Sequence, residues 1–210
     1  MAFMTYLRWT AGAFAAVALL VFLFIGWEVS DGGMTGLDRF VSQTVFQLQN
    51  PDLIGIMGVI TELGSVWFLT LMTVLLLGFL LWKRRYLDSA AASIVMLGTA
   101  LLTALMKQLY GRERPTTTEQ YDATGFSYPS GHSSGAAAFY GLVLYFIWVS
   151  PWRPGTKVTA SLVPLFTAAA VALSRVFLDV HYASDLAGGF AFGAAWMILC
   201  LLAADYFRNK

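Results

Sequence analysis

Apolar residues fill this chain in long runs rather than in strict alternation. The stretches from Trp9 to Trp27, Ser65 to Trp82, Ser89 to Met106, Ser133 to Val149 and Leu186 to Ala204 carry no charge. Each comes close to the ~20 residues that an α-helix needs to cross ~30 Å of hydrocarbon. A shorter sixth run, Val158 to Leu173, contains Pro164. Neighbouring spans can satisfy the backbone that a proline frees, so this run counts as a crossing as well. The pattern predicts an all-α fold, a six-transmembrane-helix bundle, with residues 1–210 forming one integral membrane domain and no internal repeat.

The longest non-spanning stretch is Glu28 to Gly64. Within it Leu37, Phe40, Val41, Thr44, Val45 and Leu48 fall at helical spacing, which predicts a short amphipathic helix at the outer membrane interface between spans 1 and 2. A short helix packed against the bundle would leave the same pattern. Nothing in the stretch looks catalytic. Arg8 ahead of the first run gives it the charged start of a signal peptide, but the run is about as long as a full span and no clear small-x-small site follows, so it is expected to be retained.

Composition agrees with the runs. The 210 residues are 58% hydrophobic and only 12% charged, with seven tryptophans and a mean hydropathy of +0.68. A soluble domain carries about twice that share of charge. A formal net charge of +1 leaves no basic excess for nucleic acid, and the expected surroundings are a lipid bilayer. Cys200 is alone and inside the last run, which excludes an intrachain disulfide, a CxxC pair and a cysteine metal site.

Lysine and arginine then give an orientation. With six spans both termini share a side, and that side holds Arg8, Lys83, Arg84, Arg85, Arg153, Lys157, Arg208 and Lys210, eight of the thirteen basic residues. It holds only Asp88 and Asp205 among the acids, against ten on the other side. The positive-inside rule therefore puts both termini in the cytoplasm of a cell membrane.

Five cations remain outside, and four of them flank span ends: Lys107, Arg112, Arg114 and Arg175. Both histidines emerge on that same face, His132 in "YPSGHSSG" where the fourth span opens and His181 in "SRVFLDVHYASD" before the sixth. A basic residue at a span end can be a snorkelling anchor, and His132 alone could be a loop histidine bonded to backbone. The convergence of three separate segments favours a site. Ser130, Gly131 and His132 sit at a helix N-terminus, whose unpaired N–H groups and dipole attract an anion. Lys107, Arg114 and Arg175 add the donors that a phosphoryl group needs. Asp185, four residues after His181, lies on the same helical face and can hold one imidazole nitrogen, leaving the other as nucleophile or base. There is no HExxH, no cysteine pair and no tight acidic cluster, and three cations would repel a divalent ion, so a mechanism with neither metal nor other cofactor is expected.

These residues resemble the motifs of the type 2 phosphatidic acid phosphatase superfamily of membrane lipid phosphatases. That pattern is a lysine, six residues and Arg-Pro, then Pro-Ser-Gly-His, then Ser-Arg, five residues, His, three residues and Asp. Here it reads Lys107 to Arg114-Pro115, Pro129-Ser130-Gly131-His132, and Ser174-Arg175 to His181 to Asp185, with every position matched. The resemblance implies His181 as nucleophile, His132 as general acid and Asp185 as the partner that orients His181. It implies Lys107, Arg114, Ser130, Gly131 and Arg175 as phosphate ligands, a phosphohistidine intermediate and no metal. Arg112 lies outside the pattern and its role is open.

The small size and six spans look like the bacterial members that act on phosphatidylglycerophosphate or undecaprenyl pyrophosphate. The expected partner is thus a phosphorylated membrane lipid, with phosphatidic acid as a further possibility; oligomeric state is not encoded. Two other readings stay open. One is a carrier or binding protein for a phosphorylated lipid, against which the oriented His181–Asp185 pair argues. The other is an intramembrane serine hydrolase using Ser130 and a histidine, which leaves three cations unexplained. Soluble vanadate-dependent haloperoxidases share the motif pattern but not this membrane setting.

Overall fold

The computed structural model describes residues 2–31, 33–115, 121 and 124–209. Residues 116–120, 122 and 123 lie outside the described residues. Among the described residues eight α-helices follow in order: α1 (Ala2–Glu28), α2 (Gly36–Leu48), α3 (Pro51–Glu62), α4 (Val66–Trp82), α5 (Tyr86–Tyr110), α6 (Gly131–Val149), α7 (Pro154–Phe177) and α8 (Ala183–Arg208). Six stretches are long and apolar enough to cross a membrane: α1, α3 continued by α4, α5, α6, α7 and α8. The expected spans each fall within one of these. Pro164 sits inside α7 without ending it.

The expected interfacial helix is α2. Thr35 caps it, accepting from the Asp38 backbone while the Asp38 side chain accepts from the Thr35 backbone. Leu37, Phe40, Phe46 and Leu48 are exposed, whereas Val45 packs with Ala172, Val176 and Leu186 of α7 and α8. One face of this helix thus packs against the bundle and the other is exposed. α3 has no counterpart in the expected pattern. Asn50 caps it and Pro51 opens it, an arrangement favourable to a helix start. It turns into α4 through Leu63, Gly64 and Ser65, so the second crossing bends where it reaches the site.

α6 and α8 form the middle of the bundle. α8 packs on α1, α5 and α6, while α6 packs on α4, α5 and α7 as well. Their crossing is close because both faces are small. A Cβ added at Gly193 would stand 2.3 Å from the Ser134 carbonyl oxygen, and one at Gly189 would stand 2.6 Å from that of Ser130. The four-residue spacing of small residues on each helix is the kind that lets membrane helices approach backbone to backbone.

At one end of the bundle Arg8 pairs with Asp205 at 2.7 Å, Arg85 with Asp88 at 2.6 Å, and Arg208 also with Asp88. That end gathers the N-terminal helix, the α4–α5 turn and the C-terminal helix. The candidate chemistry gathers at the other.

Candidate active site

Two chain reversals build the site, from α5 to α6 and from α7 to α8. α5 ends at Gly111, whose φ of 58° is the left-handed conformation that stops a helix, and this turns Arg112 inward beneath α8. After the α5–α6 loop the Ser127 N–H donates to the Arg112 carbonyl at 2.7 Å, which closes the loop's two ends on each other. Tyr128 then anchors the approach to α6, stacked on Phe22 and donating to the Phe22 carbonyl at 2.6 Å. Ser130 caps α6, and its own N–H donates to the Asp185 carbonyl at 3.1 Å. The positive ends of α6 and α8 are thereby tied side by side.

His181 stands at the centre of this arrangement, 3% exposed. Its Nδ1 is 3.3 Å from Asp185 Oδ2, which makes Nδ1 the protonated nitrogen and leaves Nε2 as a bare acceptor. Arg114 Nη1 points at that Nε2 from 3.0 Å. Arg114 is itself held by the carbonyls of Thr124, Gly125 and Val180 at 2.7–2.8 Å. Burial pushes the His181 imidazole down to about 3, against the opposing pull of the Asp185 hydrogen bond and charge, while Arg114 and Lys107 add to the push. The ring is thus neutral at ordinary pH, with the electron pair of Nε2 turned toward Arg114 and the cavity.

His132, at the second position of α6, lies with Nε2 3.4 Å from Arg175 Nη1, and that same nitrogen of Arg175 donates to Thr61 Oγ1 at 2.7 Å. Lys107 donates to the Phe126 carbonyl. Both histidines, Lys107, Arg114 and Gly131 line one cavity of about 510 Å³. Arg175 is fully buried behind His132 and, like Asp185 behind His181, does not line the cavity. The Ser130 hydroxyl is turned into the first turn of α6, accepting from Ser133 N and Ser133 Oγ at 3.3 and 3.1 Å. It is not part of the cavity wall.

Below its polar head the cavity continues between α4 and α5, along Leu69, Thr73 and Leu77 on one side and Met96, Ala100 and Thr103 on the other. From Lys107 down to Ser93 this wall is about 21 Å long at 1.5 Å per residue, some two-thirds of a bilayer's hydrocarbon. Val66, Val74 and Leu97 line the cavity and are also exposed on the flank of the bundle, so it opens sideways.

Four residues without a place in the sequence motifs complete the surroundings of Asp185. Ser127 donates to its Oδ2. Arg112 donates from Nη1 to its Oδ1 and to Ser184 Oγ, both at 2.7 Å, and from Nη2 to Asp38 Oδ2 at 2.7 Å. The stretch from Glu28 to Gly64, expected to hold nothing of this kind, thus supplies a buried carboxylate. The capping box at the start of α2 was a legible signal for Asp38, but its partners lie more than seventy positions away.

The arrangement suits an anion with a covalent handle. Lys107, Arg114 and a helix N-terminus share the cavity with a neutral, oriented imidazole, and a second imidazole, backed by Arg175, lines the same cavity. A family model described as the PAP2 superfamily matches residues 88–209. Phosphatidylglycerophosphatase B of Bacillus subtilis strain 168 is 29% identical over 175 residues, 83% of this chain and 86% of that one. Lipid A 1-phosphatase of Rhizobium johnstonii is 30% identical over 117 residues, 48% of this chain and 41% of that one. The crystal structure of a transmembrane PAP2-type phosphatidylglycerolphosphate phosphatase from Bacillus subtilis is similar with a TM-score of 0.79 at 27% identity, over 93% of this chain and 96% of the other. LpxE of Aquifex aeolicus shares the fold, with a TM-score of 0.62 at 17% identity over 80% of this chain and 96% of the other. With its motifs gathered around one cavity and its family model spanning more than half of its length, the chain belongs to the PAP2 superfamily.

Proposed function

We propose that the chain hydrolyses a phosphomonoester or pyrophosphate on a membrane lipid, through a phosphohistidine on His181 and without a metal. The carrying observation is the cavity itself, whose cationic head with two histidines runs into an apolar trough open to the side. A water-soluble phosphate ester would have no use for that trough. Phosphatidylglycerophosphate, undecaprenyl pyrophosphate and phosphatidic acid all combine a phosphate with long hydrocarbon, and the relatives named for phosphatidylglycerophosphate favour the first.

In the proposed reaction Lys107, Arg114 and Arg175 neutralise the phosphate, and the N-terminus of α6 at Gly131 donates to it. His181 Nε2 attacks phosphorus while His132 gives a proton to the departing oxygen, so that one P–N bond forms as one P–O bond breaks. Asp185 stabilises the charge that arises on the imidazole. Water then attacks the phosphohistidine with His132 taking its proton, the P–N bond breaks, and inorganic phosphate leaves. The bias of lysine and arginine toward the opposite end of the bundle supports an outward-facing site and cytoplasmic termini.

Purified protein is expected to release phosphate from such lipids in the presence of EDTA, and orthovanadate, which imitates five-coordinate phosphorus, is expected to block it. Activity that vanishes in EDTA and returns with magnesium would overturn the metal-free mechanism. Rapid quenching with radiolabelled substrate at alkaline pH is expected to trap an acid-labile label that is absent from His181→Ala. Acid-stable label on Ser130 would favour the serine hydrolase instead.

A further inference from the structure

Asp38 and Arg112 are both 0% exposed. Burying two such charges costs several kcal/mol apiece before their attraction is counted. Their geometry is also more specific than a fastening of α2 to the bundle requires. Arg112 lies between two carboxylates, with Nη2 2.7 Å from Asp38 Oδ2 and Nη1 2.7 Å from Asp185 Oδ1. Its guanidinium stacks 4.1 Å from the centre of the Tyr182 ring. Asp38 also accepts from the Ser184 N–H at 2.8 Å and from Ser184 Oγ at 2.9 Å, so it grips the first turn of α8 directly.

Two consequences follow for Asp185. Because Arg112 occupies its Oδ1, Oδ2 is the oxygen turned toward His181 Nδ1, where it also accepts from the Tyr182 N–H at 2.9 Å and from Ser127. And because Asp38 balances Arg112, the cluster of two carboxylates and one guanidinium keeps a net charge of −1. With Arg112 alone beside it, Asp185 would be half of a neutral pair and would offer a forming imidazolium much less.

We propose that Asp38 and Arg112 are positioning residues for phosphoryl transfer: through them α2 fixes Asp185 with Oδ2 on His181 and keeps its charge available to the imidazole. This rests on the function proposed above for the site. Neither residue touches the cavity, so both act through Asp185.

The chain has two histidines, which makes the imidazoles readable one by one. The whole protein, labelled with 15N-histidine and held in detergent micelles, is compared with Asp38→Asn, which keeps the shape and removes the charge, and with Arg112→Lys, which keeps a charge and removes the fork. His132→Gln assigns the signals. The wild type is expected to show His181 as one Nδ1–H tautomer, and both variants are expected to show a mixture of tautomers while the His132 signals stay in place. With phosphatidylglycerophosphate in mixed micelles, kcat per folded molecule is expected to fall tenfold or more and KM to stay within twofold. Variants that melt earlier but keep kcat within twofold and the His181 signals unmoved would reduce the pair to a structural pin. So would a fall in kcat with His181 signals unmoved. If one variant does not fold, the other decides by the same two readouts. A wild type that releases no phosphate from any lipid would overturn the function proposed for the site, while the tautomer comparison would still decide the role of Asp38 and Arg112.

Discussion

Two imidazoles share one cavity, and the proposed roles make them fail differently. His181→Ala removes the nucleophile, so neither phosphate release nor labelled protein is expected from any substrate. His132→Ala removes only the proton donor, and an aryl phosphate, whose leaving oxygen needs that proton less, is expected to retain a larger fraction of its wild-type rate than a lipid phosphate does. Equal fractional losses for both substrates would remove His132 from the acid role. Burial of His181 also predicts a pH dependence of stability. The folded ring takes up a proton only at about 3, whereas an unfolded histidine does so near 6.5, so between these values the unfolded chain binds more protons and stability falls as pH falls. The loss reaches roughly 2 kcal/mol by pH 5, and melting in micelles is expected to show it, less steeply in His181→Gln. The residues of the three motifs were legible because each motif is short and its spacing is chemical. Ser127 and Ser184 were not, and Asp38 was legible only as a helix cap, because a buried hydrogen bond to a partner fifty or more positions away leaves no periodic trace.

At the scale of helices, the crossing of α6 and α8 sets the spacing of the whole site, since Ser130 and Asp185 meet where it begins. Alanine ordinarily strengthens a helix relative to glycine by about 1 kcal/mol. Gly193→Ala is expected to do the opposite, because its Cβ would stand 2.3 Å from a backbone oxygen of α6 and one helix must move. A lowered melting temperature and a loss of activity should follow, whereas Gly78→Ala in α4, which meets nothing within 4 Å, should leave both unchanged or slightly raised. A Gly193→Ala protein as stable as the wild type would mean that the crossing is looser than described. Spans were legible from the sequence because a membrane demands long unbroken apolar runs. α3 was not, since Gly55, Gly58 and five β-branched residues (Ile54, Ile56, Val59, Ile60, Thr61) weaken its intrinsic helix preference, and the surrounding packing on α7 stabilises it instead.

For the molecule as a whole, the charge bias predicts which end faces which compartment. In a Cys200→Ala background, a cysteine replacing Arg84 in the α4–α5 turn should react with an impermeant thiol reagent only after lysis. One replacing Thr118, which lies outside the described residues, should react in intact cells. The reverse pattern would invert the proposed topology. The number of crossings and the shared end of the two termini were legible in the runs and the charges. The trough between α4 and α5 was not, because it is a space between helices, and a sequence records what each helix carries but not the gap between them. That sideways opening has a kinetic consequence. A lipid entering through it keeps its chains in hydrocarbon and avoids the ~0.8 kcal/mol that each CH₂ would cost in water, so the encounter is a collision within the plane of the bilayer. The rate should then follow the mole fraction of substrate among the surrounding lipids. Diluting the substrate with inert detergent at constant bulk concentration should slow turnover, and adding water at constant lipid composition should not.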